Sequence, residues 1–255
     1  MKEGKEKSRG VAAFFDLDGT LVALPSLERR FFRMLRYRRA IAMKNYWRWF
    51  EEAMRLLPRG ASAILHGNKL YLRGIATDRM EEGGLKPAFT VFGEALARVA
   101  WHARQGHAIV MVSGTLEPLA SEAAWAIEDE LAAQGTFTGI RVFATRLEEI
   151  EGRWTGRILG EPMFGEAKAR AAKRMAEETR LDLSGCYAYG DSLNDRWLME
   201  TVGRPAAVNP SNELAAIARM QGWPVQNWSG EENLTPRRAG RREIAEKKEL
   251  PRAIA

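Results

Sequence analysis

Two aspartates, Asp16 and Asp18, stand where the apolar run Val11-Ala-Ala-Phe-Phe15 gives way to a turn. Strand alternation sends both carboxylates to one side, with Leu17 between them pointing to the other. Gly19 lets the chain turn sharply, and Thr20 adds a hydroxyl at the same tip. A calcium loop opening at Asp16 would need a closing Glu at its twelfth position. That position is Leu27, so the calcium reading fails. What remains is a carboxylate pair at a strand tip, a costly arrangement suited to nucleophilic attack, proton transfer or holding a hard cation.

Three further polar clusters follow apolar runs or open helical ones. The run 108–112 leads into Ser113-Gly114-Thr115, Gly165-Glu-Ala-Lys168 opens a helical pattern, and Cys186-Tyr-Ala-Tyr-Gly190 leads into Asp191-Ser-Leu-Asn194-Asp195. In an open parallel sheet, strand ends from distant parts of the chain meet in one crevice at the carboxyl edge. The four clusters are therefore expected to form one site, and a phosphate monoester suits it. Asp16 can attack phosphorus through its carboxylate. Asp18 can protonate the leaving oxygen and later deprotonate water. Asp16 and Asp191 can hold Mg²⁺, and Lys168 adds a fixed positive charge. Ser113, with backbone amides around Gly114 and Leu17 to Gly19, can donate to phosphoryl oxygens. Asp195 is placed to orient metal-bound water or to pair with Lys168.

The elements that must deliver these groups read as alternating strands and helices. A helix is expected over 88–105, a strand over 108–112, a helix over 118–134, a strand over 140–144 and a hairpin over 147–158. Helices are then expected over 165–178, 193–201 and 211–220, with strands over 185–189 and 206–208 and a last one within 223–228. Such repetition predicts an α/β fold, a Rossmann-like doubly wound parallel sheet with right-handed crossovers. Residues 25–87 lack strand alternation and interrupt the sheet just after its first strand. The predicted organisation is an α/β core of 1–24 and 88–228, a helical cap over 25–87 and a basic, flexible tail over 229–255. Within the cap, a further short helix or two is expected over 66–79, with a boundary at Glu81-Glu-Gly-Gly84. The segment Tyr46-Trp-Arg-Trp-Phe50 is either packed inside the cap or lines a pocket for a ring-bearing leaving group. His66, His102 and His107 are read as structural.

The chain has 255 residues, 45% hydrophobic, with a net charge of +6. Its basic clusters, 28–39 and 236–242, come without helix-turn-helix or zinc spacing, so no nucleic-acid partner is expected. The face Arg29-Arg33-Arg36 offers a lesser possibility, peripheral contact with an anionic membrane. No apolar run is long enough to span a bilayer or to form a signal core, and the single Cys186 excludes an internal disulfide. A soluble cytoplasmic protein acting on a small phosphorylated substrate is expected.

The four clusters, in this order, resemble those of the haloacid dehalogenase superfamily of phosphohydrolases. Asp16-Leu-Asp18-Gly19-Thr20 is similar to the first motif, Ser113 to the second, Lys168 to the third and Gly190-Asp191-Ser-Leu-Asn194-Asp195 to the fourth. The inserted helices resemble the cap of the phosphoserine-phosphatase-like branch. The resemblance implies Asp16 as nucleophile and Asp18 as acid/base. It also implies Mg²⁺ on Asp16, Asp191 and the backbone carbonyl of Asp18. Ser113, Gly114, Lys168 and Asn194 would surround the phosphate, with Gly19 and Asp195 in support. Two departures stand out: Gly19 replaces the Ser usual in phosphoserine phosphatases, and Glu28 is the only early cap carboxylate available to a substrate ammonium. Two alternatives stand beside hydrolysis: phosphotransfer to a sugar or alcohol acceptor by the same chemistry, and non-catalytic binding of phosphorylated ligands or anionic membranes through the basic helix and tail.

Overall fold

The computed structural model describes residues 10–60, 64, 66–77 and 86–229, with the backbone of 231 and 232. The chain begins with β1 (Ala12–Phe15), followed by helices α1 (Leu27–Tyr37) and α2 (Met43–Leu56). It returns through β2 (Val91–Phe92), α3 (Gly93–Arg104), β3 (Ala108–Leu116), α4 (Glu117–Ala133) and β4 (Ile140–Thr145). A hairpin, β5 (Leu147–Ile150) and β6 (Arg153–Ile158), precedes α5 (Glu166–Thr179) and β7 (Tyr187–Gly190). The last elements are α6 (Arg196–Met199), β8 (Arg204–Val208), α7 (Asn212–Gln221), β9 (Val225–Gln226) and β10 (Glu231–Glu232).

Among the described residues the main sheet has the order β4-β3-β1-β7-β8-β9, and every pairing in it is parallel. Alternation along the buried strands divides the core into two layers. Ala13, Phe15, Ile109 and Met111 face one layer, packed with Val99 of α3 and Leu119, Ala123 and Ile127 of α4. Ala12, Phe14, Val110 and Val112 face the other, with Met175 of α5, Leu198 of α6 and Leu214 of α7. Apolar side chains on both faces are what a parallel sheet covered by helices requires. Cys186 is fully buried in the second layer, where its sulfur accepts from Ala12 N. Strand order reverses between β1 and β7, which opens a crevice at the carboxyl edge.

Several local expectations need correction. Residues 88–105 are not one helix: Val91 and Phe92 form β2, because Val91 bridges Val22 and the pair is met by β10. Tertiary pairing overrides local preference there. The strand over 108–112 continues to Leu116, so Ser113-Gly114-Thr115 belongs to β3, at a register shift against β4. The helix over 193–201 divides into a 3₁₀ turn, Leu193–Asp195, and the short α6. The Asp195 carboxylate accepts from the Ser192 amide and hydroxyl at 3.0 and 2.8 Å, which tightens that first turn. Leu70–Leu72 is a 3₁₀ turn, while the boundary at 81–84 lies outside the described residues. In the tail, 231 and 232 pair with β2; residue 230 and residues 233–255 lie outside the described residues.

Among the described residues, buried side chains of the helical insertion share the core of the sheet. Leu27, Phe31 and Leu35 of α1, with Leu72 and Ile75, join the same buried cluster as Phe15 and Leu116. The hairpin belongs to this contact too: Gly74 N donates to Trp154 O at 2.7 Å and Trp154 N to Ile75 O at 3.0 Å. Phe31 meets Trp154 edge-to-face with centroids 6.2 Å apart. Among the described residues no helix is long and apolar enough to cross a membrane. Phe31→Ala should lower stability by about 3–5 kcal/mol, the cost of a large cavity in a closed core. Urea unfolding followed by circular dichroism checks this, and a midpoint unchanged from the parent would show that the ring is not core.

Candidate active site

Four segments deliver polar side chains to the carboxyl edge. Asp16 follows β1 directly, and its amide continues the ladder by donating to Tyr189 O at 2.9 Å. Asp191 follows β7, Ser113 lies near the end of β3, and Lys168 sits in the first turn of α5. Lys168 is 3% exposed and donates to Asp16 Oδ1 and Asp195 Oδ1, each at 2.5 Å. Burial alone would lower this ammonium, but the two carboxylates outweigh it and hold it above its ordinary value. A buried pair of this kind is costly to assemble and costly to break, which fixes the relative placement of β1, α5 and the turn after β7.

The acidic groups outnumber this one cation. Burial first, and then the other carboxylates, push Asp191 up to about 9. Burial, only partly offset by Lys168, pushes Asp16 up to about 7. Oxygens of Asp16, Asp191 and Asp195 lie within 4.8 Å of one another, a set that can hold a metal ion. An all-oxygen set with surplus negative charge suits a hard divalent cation. Gly19 is part of that cradle. Its φ is +90°, and a Cβ there would lie 2.1 Å from Asp191 Oδ2. Both the turn and the approach of Asp191 therefore require glycine.

Asp18 lines the same cavity but is held by other donors. Its Oδ1 accepts from the Leu27 amide at 2.7 Å and its Oδ2 from the Thr115 hydroxyl at 2.6 Å. Burial raises its pKa despite these donors. The third carboxylate beside Asp16 and Asp191 is thus that of Asp195, and the Asp18 side chain stands apart as a separately held acid. Thr20, expected at the same tip, is fully buried and is not among the residues that line the cavity described next.

These groups open into a cavity of about 720 Å³. Asp16, Asp18, Ser113, Gly114, Lys168, Asp191 and Asn194 all line it. Of the sequence-predicted set, Gly19 and Asp195 stand behind the wall, one against Asp191 and the other against Lys168. Tyr46 and Trp49 of α2 also line the cavity, whereas Trp47 and Phe50 point to solvent. Tyr46 and Trp49 thus both pack against the core and line the cavity, and the two exposed rings fit neither expectation. His66, read as structural, lines the cavity and lies against Phe164 with centroids 3.6 Å apart. His102 and His107 do meet, with Nδ1 atoms 2.8 Å apart, but away from this cavity, and His102 also bonds Tyr189 Oη.

Sequence reasoning missed Lys69, Tyr71 and the role of Thr115. Thr115 was within view, inside the Ser113 cluster. Lys69 and Tyr71 carried no local signal, since only the fold brings them to Glu28.

Comparison with known proteins agrees with this geometry. A haloacid dehalogenase-like hydrolase family profile matches residues 13–200. A probable phosphatase of Mycobacterium tuberculosis is 29% identical over 230 residues, covering 86% of this chain and 75% of the relative. A phosphoserine phosphatase of the same organism is 28% identical over 236 residues, covering 85% and 70%. A solved phosphoserine phosphatase carrying a phospho-aspartyl intermediate analogue shares the fold, with TM-score 0.56 at 18% identity over 88% of this chain and 95% of that one. Matched over most of its length, and with the four clusters gathered at one sheet edge, the chain belongs to the haloacid dehalogenase-like hydrolase family.

Proposed function

We propose that this protein hydrolyses small phosphate monoesters through an aspartyl-phosphate formed on Asp16, with Mg²⁺ as cofactor and residues 25–87 as the cap over the site. The observation that carries this reading is the placement of Asp16 at the cavity wall, bonded to Lys168 and beside Asp191, with Asp18 held separately by Thr115. The names of the relatives point the same way.

Asp16 and Asp191, with the backbone carbonyl of Asp18, would hold Mg²⁺, whose charge supplies compensation for the phosphoryl oxygens. An Asp16 oxygen attacks phosphorus as the bond to the leaving oxygen breaks, and Asp18 delivers a proton to that oxygen. Water then attacks the phosphorus, gives its proton to Asp18, and the bond to Asp16 breaks to release phosphate. Lys168 stays charged throughout and screens Asp16 from the incoming dianion. Ser113, Asn194 and the amide of Gly114 line the place where phosphoryl oxygens would sit.

Asp16→Asn should reduce turnover of an aryl phosphate by at least about 10³-fold, as losing a reacting group does, while circular dichroism shows the fold retained. Full activity in that variant would remove Asp16 as nucleophile. Gly19→Ala should displace Asp191 and weaken Mg²⁺ binding by at least about tenfold, each tenfold being about 1.4 kcal/mol, read by titration calorimetry. The cofactor can also be tested through pH. Asp16 and Asp191 have raised pKa values, so without metal the folded state holds protons that the unfolded chain releases, and stability falls as pH rises from the ordinary carboxylate range toward 7 and then 9. Mg²⁺ binds the ionised forms, so it should raise the thermal midpoint more at about pH 8.5 than at about pH 5.5. An equal rise at both would place the ion elsewhere.

A further inference from the structure

Beyond the carboxylates, the cavity has an aromatic wall and a charged wall. Phe32 of α1, Tyr46 and Trp49 of α2, and the tilted His66–Phe164 pair line the space a leaving group would occupy. Such walls favour planar apolar groups and offer little to a small polar chain. The charged wall is Glu28, Arg29 and Lys69.

Glu28 is already engaged. Its Oε1 accepts from the Lys69 ammonium and, at 2.9 Å, from the Tyr71 hydroxyl. The Lys69 side chain is 2% exposed, so this ion pair is desolvated on its cationic side. Burial, and then Glu28 itself, push the Tyr71 phenol well above its usual range, which keeps it a donor. The pair is neutral as a unit, and Arg29 adds a positive charge to the same wall. An ammonium group entering at this wall meets one carboxylate, already matched by Lys69, beside a second cation, Arg29. It would be desolvated without a counter-ion.

We infer that the cavity selects phosphate monoesters whose leaving alcohol carries an uncharged, flat ring, and discriminates against amino-alcohol phosphates. This rests on the phosphomonoesterase reading above and adds the class of leaving group to it. Glu28 and Lys69 act as specificity residues through their mutual pairing, and Trp49 as the stacking surface.

The test uses the full chain with Mg²⁺ and three alkyl phosphates: 2-phenylethyl phosphate, ethyl phosphate and phosphoethanolamine. kcat/KM for 2-phenylethyl phosphate should exceed that for ethyl phosphate by about tenfold or more, the range a well-filled apolar pocket provides. Phosphoethanolamine should fall below ethyl phosphate, although its ammonium makes the alcohol the better leaving group. Trp49→Ala should bring the phenylethyl-to-ethyl ratio toward one. Lys69→Gln, which frees Glu28, should raise phosphoethanolamine relative to ethyl phosphate. A wild-type preference for phosphoethanolamine, or equal values for all three, overturns the inference even if neither variant folds. No turnover of any of them, nor of an aryl phosphate, would instead overturn the phosphatase reading on which it depends.

Discussion

One buried ammonium holds this site together. Lys168 bridges Asp16 and Asp195 in a place nearly closed to water, and each partner comes from a different element. Charges moved out of water are stabilised only by close, well-aligned partners. β1, the start of α5 and the turn after β7 can therefore meet in few ways. Among the described residues no lysine or arginine forms an ion pair with Asp18 or Asp191, so negative charge is in excess at this edge. Burial first, and then the neighbouring carboxylates, hold Asp16 and Asp191 above the usual carboxylate range, in an acidic group that could hold a metal ion.

The surrounding fold is arranged to make that concentration of charge tolerable. Every contributing strand is buried on both faces, so the carboxylates sit on a rigid apolar base. Asp195 caps its own short turn with one oxygen while the other receives Lys168. Gly190, just before Asp191, gives that carboxylate room, because a Cβ there would come within 2.3 Å of Asp195 Cβ. Precise placement therefore depends on close backbone approach as much as on the charged groups themselves.

Much of the catalytic half was legible in the chain because its signals are local. A carboxylate pair at a strand tip, a lysine opening a helix and an aspartate after a strand each carry their meaning within a few residues. The parallel sheet followed from alternation and helix spacing in the same way. β2 was not legible, since Val91 and Phe92 look helical until Val22 and the chain at 231 and 232 are placed beside them. The leaving-group side was legible only in part. Tyr46 and Trp49 stood in an evident aromatic segment, but which rings face inward depends on how α2 is rotated. Glu28 and Lys69 are far apart in sequence, and nothing near Lys69 marks it as buried.

The route by which the chain leaves and re-enters the sheet has a mechanical consequence. Residues 21–23 and 90–92 run side by side, with Ala23 N donating to Thr90 O and Phe92 N to Leu21 O, at 2.9 and 3.1 Å. Two connectors laced in this way form a ribbon, which flexes out of its plane far more readily than its edges slide past each other. The two ends of the insertion are thereby fixed to each other as well as to the shared core. The insertion's first helical residue, Leu27, carries an amide that rests on Asp18. With Thr115 donating to its other oxygen, the Asp18 carboxylate is tied at once to the inserted helix and to the sheet, so the placement of the insertion fixes the setting of that side chain.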